Sequence, residues 1–343
     1  MKMTKEEIGA KMSEIMGALV GDNAEALDSR INAIVEKKLA DSSATVVTHE
    51  IKIGDADPKR VEGLLAQEFD DVLSWTATRD KNGHYNAVML CGLAGTGKGT
   101  MARQVAEALD ANFCEVNAVK DSFGLTGFID ANGQYNETPF YQACKDASEG
   151  VETVFLFDEM DCSSPDVLKI FNEALSSFEF TFPNGEFFEF GENMHFISAC
   201  NTYGTGGNMK YCGEPLDVST LDRFALIEVD YDPKIDLACA GGDKDLVKFF
   251  HEIRKVTANM IFEASYRSIQ RIASQRGLMD MRKVLKQGFI KGMPSDDLEI
   301  VKSNLSRIIP DNPYTKSLNG EEVTFEAPAS TKKSTAKKSK KNA

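Results

Sequence analysis

The sequence has no apolar run approaching the roughly 20 residues that a membrane-spanning helix needs. Its opening, MKMTKEEIGAKM, is charged and carries neither an apolar signal core nor a small-residue cleavage site, which predicts a cytoplasmic protein with no membrane part. CxxC spacing is also absent. The seven cysteines, Cys91, Cys114, Cys144, Cys162, Cys200, Cys212 and Cys239, are odd in number and sit mostly in apolar segments, so neither disulfides nor zinc are expected. Histidine is sparse: His49, His84, His195 and His251 are scattered, and spacing draws neither a metal cluster nor a hydrolase triad from them. Basic charge is in short supply too. With 39 basic against 53 acidic side chains the formal net charge is −14, which argues against a body built to neutralise phosphate backbones.

What remains is the composition of an ordinary globular chain. The 343 residues are 42% hydrophobic and 27% charged, consistent with one large or two modest domains. Residues 1–48 read as helices, because Ile8, Met12, Ile15, Met16 and Leu19 recur at helical spacing, Gly21 to Asn23 break the pattern, and Leu27, Ile31, Ile34 and Val35 resume it. From 49 to 233 short apolar runs alternate with helical segments, the rhythm of a wound α/β sheet. Five strands are expected, over 86–91, 112–116, 153–157, 195–200 and 225–229, with a helix over 100–109 behind the first. Two Asn-Gly pairs, Asn132-Gly133 and Asn184-Gly185, signal tight hairpins inserted into this core. Residues 234–305 read as a small helical domain. Residues 306–343 read as a disordered tail whose last part holds six lysines, Lys332, Lys333, Lys337, Lys338, Lys340 and Lys341, and no acid.

The sharpest signal lies where the first strand ends. Gly92-Leu93-Ala94-Gly95-Thr96-Gly97-Lys98-Gly99-Thr100 fits G-x-x-x-x-G-K. In such a loop the glycines let consecutive N–H groups curl around phosphates while the lysine reaches the β and γ oxygens. The Ser/Thr that usually follows the lysine as a Mg²⁺ ligand is Gly99 here, and the hydroxyl comes one place later, at Thr100. Either Thr100 substitutes with altered geometry or the ion is held through water. Asp158 and Glu159 close the 153–157 strand: Asp158 is suited to hold Mg²⁺, directly or through water, and Glu159 to polarise an attacking water. A base for water implies hydrolysis. Asn201 ends the 195–200 strand, where its amide can orient that water or touch the γ-phosphate, although Asn is also a common turn residue. Arg223 precedes the fifth strand and Arg267 opens a helix of the second domain; either can stabilise charge developing on a transferred phosphoryl group.

Taken in this order, the phosphate loop, the Asp-Glu strand, the strand-terminal Asn and the two arginines resemble the AAA+ ATPases. More narrowly, the chain looks like the MoxR and dynein-related branch, in which the lid arginine often sits in the S-x-R context of Ser265-Tyr266-Arg267. It is similar to the small, CobS-type ATPase subunit of cobaltochelatase over about residues 86–275, through Phe157-Asp158-Glu159-Met160-Asp161, Pro165-Asp166-Val167, Asn201 to Gly206, Tyr211, Gly213 and Leu221-Asp222-Arg223-Phe224. The resemblance implies an α/β P-loop NTPase AAA+ core, a wound parallel five-stranded sheet with inserted β-hairpins, plus a small helical lid domain. It implies ATP and Mg²⁺ as ligands, held by Gly92, Ala94, Gly95, Thr96, Gly97, Lys98, Gly99 and Thr100, with Thr100 and Asp158 at the metal. Glu159, Asn201, Arg223 and Arg267 become the catalytic set, with Arg223 reaching a neighbour's nucleotide. A homo-oligomeric ring, commonly hexameric, and a protein partner that often carries a von Willebrand A domain are further implications. The 132–133 hairpin matches the place where this branch inserts a hairpin into its second helix.

Three other readings stay open on the residues. The Gly-Lys-Gly-Thr sequence also occurs in nucleotide kinases, although an arginine-rich acceptor lid is not apparent. A nucleotide-gated scaffold with little turnover follows if Gly99 compromises the metal. Nucleic-acid binding rests on the lysine tail alone.

Overall fold

The C-terminal ends of three apolar strands set the geometry of everything that follows. In the computed structural model, which describes residues 47–53 and 58–326, β3 (Ala87–Cys91), β4 (Asn112–Val116), β7 (Thr153–Phe157), β10 (Met194–Cys200) and β11 (Phe224–Glu228) form one parallel sheet in the order β11-β3-β10-β7-β4. The helices expected within 1–46 and the lysines at 332–341 lie outside the described residues. Strands β3, β7 and β10 are buried along their whole length, as central strands covered on both faces must be. The edge strand β11 buries only its first residue fully.

Alternation splits each strand between two cores. Met89, Cys91, Phe155, Phe157 and Phe196 point to one face, where α4 (Pro139–Ser148) and α5 (Pro165–Ser177) pack; Val88, Leu90, Val154, Leu156 and Ile197 point to the other, against α1 (Phe69–Ala77) and α2 (Lys98–Leu109). Helix α2 begins at Lys98, two residues earlier than its sequence suggests, because left-handed Gly97 ends the phosphate loop immediately before it. A separate antiparallel pair, β1 (Thr48–Ile51) with β2 (Lys59–Glu62), precedes α1.

Both Asn-Gly pairs turn hairpins, and the two differ in how they are held. β8 (Glu179–Thr181) and β9 (Phe187–Glu189) are anchored by aromatics: Phe180 and Phe182 lie 5.8 and 5.7 Å from Phe140 between ring centroids. β5 (Phe128–Ile129) and β6 (Tyr135–Asn136), between the short α3 (Ser122–Thr126) and α4, leave Phe128 and Ile129 exposed beside exposed Phe123. Tyr135, donating to the Thr126 carbonyl and set edge-on against the Tyr141 ring, ties that hairpin inward.

After the single turn α6 (Val218–Leu221) and β11, the chain is helical: α7 (Pro233–Cys239), α8 (Lys244–Thr257), α9 (Tyr266–Gln275), α10 (Met281–Gly288), α11 (Ser295–Ile308) and α12 (Pro313–Leu318) share a core of their own around Phe249, Phe250, Phe289 and Tyr314. Helical structure does not stop at 305. The stretch 306–326, expected as the start of a disordered tail, is instead packed: Asn312 caps α12, Tyr314 is fully buried, and its hydroxyl donates to Asp243 at 2.6 Å. No described helix is long and apolar enough to cross a membrane.

Candidate functional site

The parallel register brings Cys91 of β3 beside Cys200 of β10, and Ser198 of β10 beside Phe157 of β7. The loops leaving these three ends therefore lie side by side: the glycine loop after β3, Asn201 after β10, and Asp158-Glu159 after β7. A cavity of about 820 Å³ opens over them. Residues Ala94 to Thr100, Asp158, Glu159 and Asn201 form its floor, the Glu62 to Leu64 stretch one wall, and Ile235, Tyr266, Arg267 and Gln270 of the helical part the other. Ligands of wound sheets bind at this end of the strands.

Lys98 is buried, and its ammonium group donates to the carbonyls of Gly92 (2.8 Å) and Leu93 (3.0 Å) and to Asn201 Oδ1 (3.0 Å). Burial lowers its pKa from the ordinary lysine value, and Asp158 nearby works the other way. Gly92 lies beneath the cavity rather than in its lining; a Cβ there would fall 2.0 Å from the Val229 carbonyl, where β11 closes against β3. Gly95, at φ +78°, adopts a backbone that side chains rarely take, and a Cβ on it would stand 2.7 Å from Ser265 Cβ.

Glu159 stands exposed at the cavity, in the left-handed region at φ +50°. A non-glycine residue held there is strained by roughly 1–3 kcal/mol, and the strain sits at the carboxylate read as a base. Its N–H donates to Asp158 Oδ1 at 3.0 Å. Two residues on, Asp161 is fully buried: Oδ2 accepts from the Thr202 N–H (2.9 Å) and hydroxyl (2.6 Å), fastening the segment after β7 to the residue following Asn201. Its Oδ1 has no protein partner.

Among the described residues no three acids, histidines or cysteines gather as a metal cluster. Mg²⁺ bound with a nucleotide needs only one or two protein oxygens, the rest coming from phosphates and water. Asp158 and the exposed Thr100 hydroxyl, open to the same cavity, fit that requirement. Packing does not impose glycine at position 99, since a Cβ there would meet only Leu156 Cδ2, at 4.0 Å.

Arg267, exposed in the first turn of α9, reaches the cavity wall; Arg223 does not. Arg223 is exposed beside α6, donating to Ser176 Oγ at 2.9 Å and to the Ser219 carbonyl. The paired cysteines at the strand ends are packing groups: burial is the largest cause raising the Cys91 thiol to about 12, and it raises Cys200 as well, which leaves neither ionised near neutral pH.

Sequence reasoning misses Tyr231 and Glu263 and gives Asp161 and Tyr211, both within the motifs it names, no role. Asp161 carries a readable signal, a third acid two residues beyond Glu159. Glu263 and Tyr231 carry none beyond their closeness to the Ser265-Tyr266-Arg267 segment and the Asp230-Tyr231-Asp232-Pro233 linker.

No curated protein matches the chain. Solved structures similar to it include a point mutant of Thermotoga maritima RuvB (16% identity, covering 74% of this chain and 69% of that one, TM-score 0.30). The Thermotoga maritima RuvB Holliday junction branch migration motor is similar at 18% identity, with 72% and 71% covered and a TM-score of 0.32. Closed-state Hsp104 with ATPγS and FITC casein is similar at 15%, with 73% and 47% covered and a TM-score of 0.38. The sheet and its phosphate loop have the architecture of a P-loop AAA+ core, and residues 87–224, from the first residue of β3 to the first of β11, match the family described as AAA domain (dynein-related subfamily).

Proposed function

We propose that the chain binds ATP with Mg²⁺ and hydrolyses it, working as a homo-oligomeric ring, in the manner of the MoxR and CobS-like branch, to remodel or load a partner protein. The observation that carries this reading is the grouping of Lys98, Asp158, Glu159 and Asn201 around one cavity at the strand ends, with Lys98 bonded to Asn201. The amine of Lys98 and the N–H groups at the start of α2 take up the phosphates. Glu159 accepts the proton of the attacking water, and Asn201, fixed from behind by Asp161 and Thr202, orients it. Asp158 and the Thr100 hydroxyl would hold Mg²⁺, which would supply charge neutralisation on the phosphate oxygens. Arg267 adds positive charge from the lid.

Arg223, exposed and away from its own chain's cavity, is assigned to the nucleotide of a neighbouring subunit, which is what makes a ring, commonly a hexamer, the working form. The exposed Phe123, Phe128 and Ile129 at the β5–β6 hairpin offer a surface for the partner, whose expected module is a von Willebrand A domain. Nucleic acid enters this reading only through the lysine tail. A nucleotide kinase remains the alternative, but the Asp158-Glu159 pair favours water over a second nucleotide as acceptor.

The test is light scattering of the purified protein with and without ATP and Mg²⁺ while phosphate release is followed, alongside Glu159→Gln and Arg223→Ala. Nucleotide-dependent rings whose turnover is lost in both variants are expected. A monomer at every ATP concentration, with Arg223→Ala unchanged, would return the kinase reading to the front.

A further inference from the structure

Ala94 of the phosphate loop is gripped on both of its backbone polar groups by side chains from outside the loop. Its N–H donates to the Tyr211 hydroxyl at 3.0 Å, and that hydroxyl donates in turn to Glu263 Oε2 at 2.9 Å. The Tyr231 hydroxyl lies 3.1 Å from the Ala94 carbonyl and 3.1 Å from Glu263 Oε1, two acceptors for a single proton. One carboxylate of the helical part thus spans two tyrosines, one from the loop after Asn201 and one from the linker before α7. Next to it, Ser265 rests directly on Gly95.

The far side of this arrangement is bonded in its turn. Arg254 stacks 3.6 Å over the Tyr231 ring, donates to the Ala264 carbonyl at 2.9 Å, and forks onto the buried Asp236 carboxylate at 2.5 and 2.8 Å. Lys210 places its amine 3.8 Å from Glu263 Oε2. Residues 263–265 are therefore fastened to α7 and α8 on one side and to Ala94 and Gly95 on the other, and Arg267 follows within the next helical turn.

We propose that Glu263, Tyr211 and Tyr231 are positioning residues that lock the phosphate loop to the segment bearing Arg267, so that the arginine's place over the phosphates depends on the backbone of Ala94. The proposal rests on the nucleotide-site reading above. Because Tyr231 shares one O–H between two acceptors, a shift of the Ala94 carbonyl as phosphate seats in the loop turns that hydrogen bond wholly to Glu263 and gives up the one to the carbonyl, while the Ala94 N–H keeps its bond to Tyr211. The connection through Tyr231 yields while the one through Tyr211 persists. Its effect falls on how long a nucleotide stays, through Arg267.

The test is stopped-flow dissociation of a fluorescent ATP analogue, mant-ATP with Mg²⁺, from the full chain and from Glu263→Gln, Tyr231→Phe, Arg267→Ala and the doubles with Arg267→Ala. Loss of a hydrogen bond to a charged group corresponds to roughly a tenfold effect, so Glu263→Gln and Tyr231→Phe should each speed dissociation about tenfold alone and hardly at all once Arg267 is gone. Increments that add in full on the Arg267→Ala background, or no change in the single variants, overturn the proposal, since a merely structural role predicts additivity. Should Glu263→Gln lower thermal stability too far to assay, Tyr211→Phe, which removes one oxygen, carries the same cycle. Lys98→Ala separates the two levels: retained binding there defeats the nucleotide-site reading itself, whereas lost binding with additive cycles defeats only the positioning role.

Discussion

Lys98 of the phosphate loop donates to the side-chain carbonyl of Asn201 across 3.0 Å, so the end of β10 and the start of α2 share a hydrogen bond at the floor of the cavity. Two carbonyls of the loop take the amine's other protons, which makes Asn201 the one partner supplied from another strand.

That division predicts different losses for the two residues. Lys98→Ala removes the amine that meets phosphate and should abolish ATP binding measured by calorimetry. Asn201→Ala leaves Lys98 with its two carbonyl partners; binding should hold within a few-fold while kcat drops about a hundredfold, the scale seen when one group aimed at the transition state is removed. Equal losses in KM and kcat/KM with kcat intact would contradict the assignment.

Position 99 offers a gain rather than a loss. The space there admits a side chain, and a serine would place a hydroxyl directly after the lysine, where metal-binding phosphate loops carry one. Gly99→Ser should lower the Mg²⁺ concentration for half-maximal phosphate release several-fold. An unchanged Mg²⁺ titration would show that Thr100 already meets the ion.

Asp161 is expected to matter for stability before chemistry. Asp161→Ala strands the buried Thr202 N–H and hydroxyl, a loss of about 2–4 kcal/mol, or roughly 3–6 °C in Tm for a chain of this size. Thr202→Val, which keeps the amide bond to the carboxylate, should cost less than half as much. Calorimetric unfolding of the two variants settles the order.

Glu152 carries a pH signature. Burial raises its pKa, but hydrogen bonds from His195 (2.6 Å) and Tyr85, together with the charges of His195 and Arg79, outweigh that and leave it lowered. The unfolded chain takes a proton near the ordinary value of about 4.3, and the folded chain takes it only at lower pH. The stabilisation is therefore complete above about 4.3 and drains away as pH falls through the folded value. Tm against pH should show an acid limb in the parent that is shallower in Glu152→Gln. Parallel limbs would remove Glu152 from the account.

Much of the sheet was readable because its interior strands are nearly unbroken apolar runs: AVMLC, TVFLF and MHFISAC leave little choice of element. The edges were less legible. β11 begins at Phe224 because pairing with Ala87 starts there, a fact of register that no local pattern carries. Tyr314 is one aromatic in the polar stretch from Asn312 to Asn319, and only the pocket formed by Phe249 and Asp243 reveals it as core. The same contrast divides the site. Lys98, Asp158 and Glu159 announce themselves by spacing at the ends of two strands, whereas Tyr231 meets Ala94, and Glu263 and Arg254 meet Tyr231, only because the helical part folds back over the loop.

The docking of α12 turns the end of the described chain into a fixed point of departure. Asn312 reaches the Asp245 carbonyl at 2.8 Å, Tyr314 holds Asp243, and Asp243 in turn holds Arg276 at the end of α9. A dye or fluorescent protein attached after residue 326 would thus be rooted on the same helices that carry Arg267. Paired with a second dye on the exposed side of α1, it would turn any swing of those helices during a nucleotide cycle into a change in energy transfer.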